Sequence, residues 1–254
     1  MDGRPIRVSL MRPSKTTQRD FRRQAGDATV IWIKPNNVLT HTGSKWPVSK
    51  ARLAKYERVL PKAIVRALRP AAKKREPFLL PAAHFPASVP IKERALYLKI
   101  KDFVERAGDL EDTIWYQELA DALAAKGTAA HKELVFRDQT KILEFFRGYV
   151  QPLIDSLRTD GFKPEATGFE SSAIVDHEGR LSKSGSGNHR FAIAHVLDLD
   201  RFPLRIVAVH EAWYAREVAP HGDTLESLRD ALRLVERRHG EAPCPTVGGK
   251  AGEF

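Results

Sequence analysis

The chain has 254 residues, 42% of them hydrophobic and 29% charged, with a formal net charge of +10. That composition suits a soluble globular protein with one substantial core or two small ones, and no apolar run approaches the length of about eighteen residues that a membrane-spanning helix needs. The single cysteine, Cys244, excludes an internal disulfide, and Met1–Pro5 lack the apolar core of a secretory signal, so a reducing, cytoplasmic setting is expected. Charge is unevenly spread. Residues 1–76 carry 19 Lys and Arg against 5 Asp and Glu, a net +14, and the remainder is −4. A polyanionic partner would suit the basic part, and so would a purely solubilising role.

In chain order, residues 1–27 are basic and aperiodic and read as an irregular arm. Ala28–Lys34 is rich in β-branched residues and stops at Pro35, which predicts a strand. Ser49 is placed to cap a helix reaching Leu68, with Leu53, Tyr56, Leu60, Ile64 and Leu68 along one stripe and Pro61 set to kink or split it. The opposite face, through Lys50, Arg52, Lys55, Lys62 and Arg66 to Lys73-Lys74-Arg75, is the strongest basic surface, and residues 50–75 could track a nucleic-acid backbone. Prolines 77, 81, 86 and 90 interrupt regular structure. The chain is therefore divided into a basic N-terminal region (1–90), a second region (91–240) and a disordered tail (241–254).

Helices are predicted over Ile91–Ala107, from Thr113 to about Lys126, over His131–Arg147, and from Pro152 to Thr159. Beyond Gly161 the elements shorten. Ser172–Val175 and Arg180-Leu181 flank the turn Asp176-His177-Glu178-Gly179, a hairpin signal. Then come Ser184-Gly185-Ser186-Gly187-Asn188-His189-Arg190, an apolar helix to Leu199, a strand over Leu204–Val209 and a helix opened by Asp223-Thr224-Leu225-Glu226 at capping-box spacing.

The Gly185–Arg190 segment carries most of the functional information. Small residues allow a tight turn with uncovered N–H groups, Asn188 is a good N-cap, and a helix N-terminus attracts anions. Gly185, Ser186, Gly187, Asn188 and His189 would offer donors to phosphate oxygens, and His189 and Arg190 would neutralise charge. A plain glycine turn, with Arg190 paired to a local carboxylate, is the competing reading. Asp176, His177 and Glu178 precede the loop closely enough in sequence to supply a base or metal-holding carboxylate, as does Glu170, although a turn also favours Asp and Gly for conformational reasons. His195, His210, Glu211, Trp213 and Tyr214 read as core or closing residues. No His/Cys cluster has the spacing of a structural metal site.

Taken together, Leu153–Phe162, Ile174-Val175-Asp176, Gly179-Arg180-Leu181, Gly187–Ala194 and Phe202–Val207 resemble the ParB/sulfiredoxin-like superfamily over residues 148–213. The resemblance implies an α+β fold: a small mixed β-sheet with helices, preceded by a helical N-terminal region. It also implies a loop that holds nucleotide phosphates, with ATP or another nucleotide and Mg²⁺ as cofactors. Asn188 stands where sulfiredoxins carry their reactive cysteine and where ParB-type proteins carry a metal-holding glutamate, so the pattern is nearest to the serine-kinase-like members. The resemblance thus points to a Mg²⁺-dependent phosphotransferase (kinase) acting on a small-molecule or anionic acceptor, with Asp176, Glu178, His189 and Arg190 as candidate catalytic residues. A ParB-like nucleic-acid-binding protein is the alternative, and a member that has lost catalysis is a third reading.

Overall fold

The computed structural model describes residues 12–106, 108–163 and 171–240. In chain order these form α1 (Gln18–Ala25), β1 (Val30–Ile33), β2 (Thr40–Thr42), α2 (Pro47–Tyr56), α3 (Lys62–Lys74), β3 (Leu79–Leu80), β4 (Ser88–Pro90), α4 (Ala95–Glu105), α5 (Ile114–Lys126), β5 (Ala129–His131), β6 (Leu134–Phe136), α6 (Gln139–Phe145), α7 (Gln151–Asp160), β7 (Ser172–Val175), β8 (Leu181–Ser184), α8 (Asn188–Val196), β9 (Phe202–His210), α9 (Glu211–Glu217) and α10 (Leu225–Gly240). The fold is mixed α+β. Among the described residues no helix is long and apolar enough to cross a membrane.

The longest strand, β9, is almost wholly apolar and buried along its length, as expected for a central strand covered on both faces. It pairs parallel with β7 on one side, and with antiparallel β1 and parallel β3 on the other. The sheet runs β1-β9-β7-β8-β2-β4, with β8 and β2 parallel and the β7–β8 and β2–β4 pairs antiparallel. Strands from residues 30–42 and 79–90 thus flank those from residues 172–210, and the sheet is continuous across the sequence division at residue 90.

Side-chain alternation gives the sheet two unlike faces. Ala173, Val175, Leu204, Ile206 and Val209 join the main core with Phe191 and Ala194 of α8, Trp213 and Tyr214 of α9, and Leu228, Leu232 and Val235 of α10. Ile174 and Ala208 point the other way, into a small cluster with Leu80, Val48 and Phe85. The helices α4 to α7 build a second core around Phe103, Trp115, Ile142 and Phe146, which also receives Ala192 and Ile193. Helix α8 therefore lies between sheet and helical layer, which explains a sequence apolar on two sides.

Several sequence expectations are corrected by tertiary contacts. The arm folds in part: Thr17 caps α1, and Phe21 stacks on Phe78 with ring centroids 3.7 Å apart. Burying a phenylalanine is worth about 2 kcal/mol, which offsets the poor local periodicity. The 49–68 helix is split at Pro61 into α2 and α3, and it starts at Pro47 rather than at a Ser49 cap. The buried carboxylate of Glu76 does the capping, accepting from Val48 N at 2.8 Å and Ser49 N at 2.7 Å, while Ser49 Oγ donates to Ala72 O. Of the expected apolar stripe only Leu53 is buried and Leu60 partly so; Tyr56, Ile64 and Leu68 are exposed. Within the proline-rich stretch, β3 and β4 still form, as short edge segments.

The helix placed over His131–Arg147 opens instead as the β5–β6 hairpin, with Lys132 at φ 55°, and Asp138 then caps α6. The helical path continues through a π turn (Phe146–Val150) into α7. The hairpin over residues 172–184, the helix opening at Thr113, which caps α5, and the strand at 204–209 form as read from the sequence. Helix α8 ends at Val196 rather than Leu199. At α10 the reciprocal cap runs between Thr224 and Ser227, because the Asp223 carboxylate is engaged by Ser14 and Tyr214. The tail 241–254, with Cys244, and Glu170 lie outside the described residues.

Candidate anion-binding site

The loop between β8 and α8 opens the helix through Gly187, which takes the left-handed conformation at φ 65°. A methyl group at that position would come within 2.9 Å of Ser171 Cα, and Ser171 Oγ donates to Gly187 O at 3.3 Å. Only glycine meets both the dihedral and the close approach. Gly187, not Asn188, is thus the N-cap, and no side chain caps the helix. The N–H groups of Asn188, His189 and Arg190 begin the helix without an acceptor in a preceding turn.

Asn188 has a different task. Its Oδ1 accepts from Lys183 Nζ at 3.1 Å and lies 3.3 Å from His41 Nε2. Arg94 reaches His41 Nδ1 at 2.9 Å. A guanidinium only donates, so Nδ1 is the acceptor and the Nε2 proton goes to Asn188. Lys183 is fully buried and also donates to the carbonyls of Ser184 and Ser186. Burial, reinforced by the neighbouring charges of Arg94 and Lys45, pushes its ammonium down from 10.5 to about 7. Burial and Arg94 likewise push His41 down to about 4, so it is neutral at pH 7.

From the other side Lys45 Nζ donates to Ser186 Oγ at 3.1 Å. Lys45 and Lys73 both lie over the Trp46 ring, at 4.4 and 4.2 Å from its centroid. Beneath the loop the strands supply a polar floor, with Ser172 paired to Ser184 at 2.7 Å and Ser182 to Thr40 at 2.6 Å. Lys183 and Arg94 form no ion pair among the described residues, and the charges acting on Lys183 are both positive. Positive charge is thus buried under a helix N-terminus, and among the described residues no carboxylate pairs with Lys183 or Arg94.

The structure brings together only some of the residues singled out from sequence. Gly185, Ser186, Gly187 and Asn188 form the loop, and Arg190 is half-buried beside it with no hydrogen bond or ion pair among the described residues. His189 turns into the helical layer instead. Its ring stacks on Trp115 and meets His131 edge-on, and Nδ1 accepts from Lys132 at 3.2 Å. Burial, then Lys132 and His131, push it down to about 4, so it brings no charge to an anion.

Asp176 and Glu178 sit at the opposite end of the β7–β8 hairpin, since Val175 pairs with Leu181 there and Ser172 with Ser184 at the loop end. Asp176 accepts from Glu178 N, Arg180 N and Arg180 Nε. That is a turn-stabilising carboxylate, held below the ordinary range by those bonds despite its partial burial. His195 packs between Tyr97 and Phe191. His210 caps α9, and Glu211 accepts from Ala82 N.

Lys183, His41, Arg94, Lys45 and Trp46 are site residues that sequence reasoning passes over. The one available signal is a lysine between two serines on a strand that is otherwise inside the sheet; the others converge through β2, α4 and the loop before α2. Among the described residues no three His, Cys, Asp or Glu side chains gather as a metal centre. Compared with protein-family models, curated proteins and solved structures, the chain matches none.

Proposed function

We propose that this protein binds the phosphate groups of a nucleotide at the N-terminus of α8. The carrying observation is the buried Lys183, hydrogen-bonded to the loop and, among the described residues, influenced by the cations Arg94 and Lys45. A buried charge without a counter-ion is expensive, and an anion at the loop removes most of that cost. Free helix amides, Ser186 Oγ and the cations Lys45, Arg94 and Arg190 supply donors of the kind that phosphate oxygens accept. The strand–turn–strand–loop–helix order that resembles the ParB/sulfiredoxin-like superfamily supports the same reading.

Phosphoryl transfer with Mg²⁺ finds less support. Mg²⁺ is held by carboxylate and phosphate oxygens, whereas the described surroundings of the loop are lysine, arginine, histidine, asparagine and serine. Asp176 and Glu178 are at the far end of the hairpin. Among the described residues the donor set does not supply the carboxylates that the metal needs, and the reading kept is phosphate binding.

Isothermal titration with ATP, ADP and CTP tests the proposal. Binding should tighten as pH falls through about 7, because an anion favours the charged form of Lys183. Absence of binding by all three nucleotides, or pH-independent binding between pH 6 and 8.5, counts against it. A nucleic-acid-binding role is a second reading, favoured by exposed Lys50, Arg52, Lys55, Lys62, Arg66 and Lys74 on α2–α3, where Glu57 is the one acidic residue. It requires an affinity for duplex DNA or RNA that falls steeply with salt.

A further inference from the structure

Helix α3 buries only Val65 and Ala72, which meet Leu53 of α2 in a small cluster with Leu60 at its edge. Its other apolar residues face solvent. Ile64 is 47% and Leu68 38% exposed, and Ala67 and Ala71 are exposed on the same helix. At the junction with α2, Tyr56 is 40% and Val59 78% exposed. With about 100° of turn per residue, Ile64, Ala67, Leu68 and Ala71 fall within an arc of about 100°. Lys62, Arg66, Arg69 and Lys73 fall on the opposite side of the helix. Single surface leucines need no explanation, but an apolar strip along an otherwise basic helix does.

Charge narrows what can cover the strip. Residues 47–75 hold ten Lys and Arg against a single acid, Glu57, whose carboxylate lies 3.8 Å from Arg69. A second copy would set like charge against like, which opposes pairing of two strips. Duplex nucleic acid suits the cations but presents phosphate and sugar to Ile64 and Leu68. A partner that takes a helix in a groove reads large anchors at this spacing, and alanines at two of the four positions leave it only two. An anionic bilayer meets both features together, with an acyl boundary for a shallow apolar strip and negative headgroups for the cations. Tyr56, at the end of the strip, is of the amphipathic kind that sits at that boundary.

We propose that α3 docks along the surface of anionic lipid bilayers, with Ile64, Ala67, Leu68 and Ala71 at the acyl boundary and the surrounding lysines and arginines among the headgroups. The inference is independent of the phosphate reading of the loop. The cations alone would be an ordinary solvated surface; the apolar strip is what assigns lipid rather than a polyanion in solution. Binding of such a helix scales with buried apolar area and with attraction to anionic lipid, so removing either contribution weakens it.

The test is co-sedimentation of the full chain with vesicles of phosphatidylcholine, and of phosphatidylcholine mixed with phosphatidylserine. The wild type should partition at least about tenfold more strongly onto the mixed vesicles. Ile64→Gln/Leu68→Gln should weaken that partitioning by about tenfold. Lys62→Gln/Arg66→Gln should weaken it by a similar factor that vanishes at high salt. Leu134→Gln/Val135→Gln alters two exposed apolar residues on β6 and should bind as the wild type does. All of these replace exposed side chains, so the unfolding midpoints should stay close to that of the wild type.

Equal partitioning onto the two kinds of vesicle, or none onto either, overturns the proposal. Undiminished binding by Ile64→Gln/Leu68→Gln also overturns it, because only electrostatic adsorption would remain, as does an equal loss in Leu134→Gln/Val135→Gln. A wild-type dimer that Ile64→Gln/Leu68→Gln dissociates in analytical ultracentrifugation would make the strip a self-interface. A loss of duplex DNA affinity in that variant, matching its loss on vesicles, would give the strip to nucleic acid. Either result overturns the lipid assignment.

Discussion

The β8–α8 loop and the α2–α3 hairpin are both cationic, but their charges live in different solvents. On the hairpin the lysines and arginines are exposed, their self-repulsion is screened, and little structure depends on them. At the loop Lys183 is fully buried and its ammonium is pushed down to about 7. The same residue type is neutral with respect to stability in one place and a standing cost in the other. A surface rich in Lys and Arg therefore says little about a ligand, whereas one buried lysine whose described charged neighbours are cations says a good deal.

The two regions meet where Lys73 and Lys45 share the Trp46 ring, and three substitutions separate them. The largest effect is expected for Gly187→Ala, which forces a side chain into a left-handed position against Ser171. Loss of about 3 kcal/mol in chemical denaturation is anticipated, with anion binding abolished and hairpin helicity retained. Retained anion binding would show that the loop is not the site.

Glu76→Ala should come next. It removes the carboxylate that holds Val48 N and Ser49 N, costing about 2 kcal/mol. Hydrogen exchange should rise selectively in α2 and α3 while the amides of β7 and β9 stay protected. Uniform loss of protection would mean that hairpin and sheet unfold as one unit.

Lys183→Met is read last, as a slope per pH unit rather than as a loss of stability at one pH. The folded value is depressed from 10.5 to about 7, so between these limits the unfolded chain holds a proton that the folded chain has released. Wild-type stability accordingly rises with pH through that window, by at most about 1.4 kcal/mol per pH unit, and bears the full cost of the buried charge below about 7. The difference in stability between the wild type and Lys183→Met should tilt in that direction from pH 7 to 10. A flat difference would show that Lys183 remains ordinary in the folded chain.

Much of the secondary structure was legible because local chemistry decided it. Pro61 splits a helix, Thr113 caps one, and the Asp176–Gly179 turn joins two strands whatever surrounds them. Local reasoning failed where a distant group intervened. Phe78 makes α1 worth ordering, Glu76 replaces Ser49 as a cap, and the helical layer draws His189 away from the loop it follows in sequence. The turn carboxylates looked close to the loop only because sequence separation is small; a hairpin puts its turn and its open end at opposite ends.

The sequence by itself determined a basic N-terminal third, a glycine-bearing strand-to-helix loop and elements such as α5, β7 and α10, since these follow from periodicity, turn chemistry and composition. Tertiary structure alone decided the chemistry of the site. Pairing of β2 with β8 carries His41 to Asn188, packing of α4 on α8 brings Arg94, and the residues before α2 bring Lys45 and Trp46 to Ser186. A cation's meaning depends on what else is buried with it, and that is a property of the folded sheet rather than of neighbours in the chain.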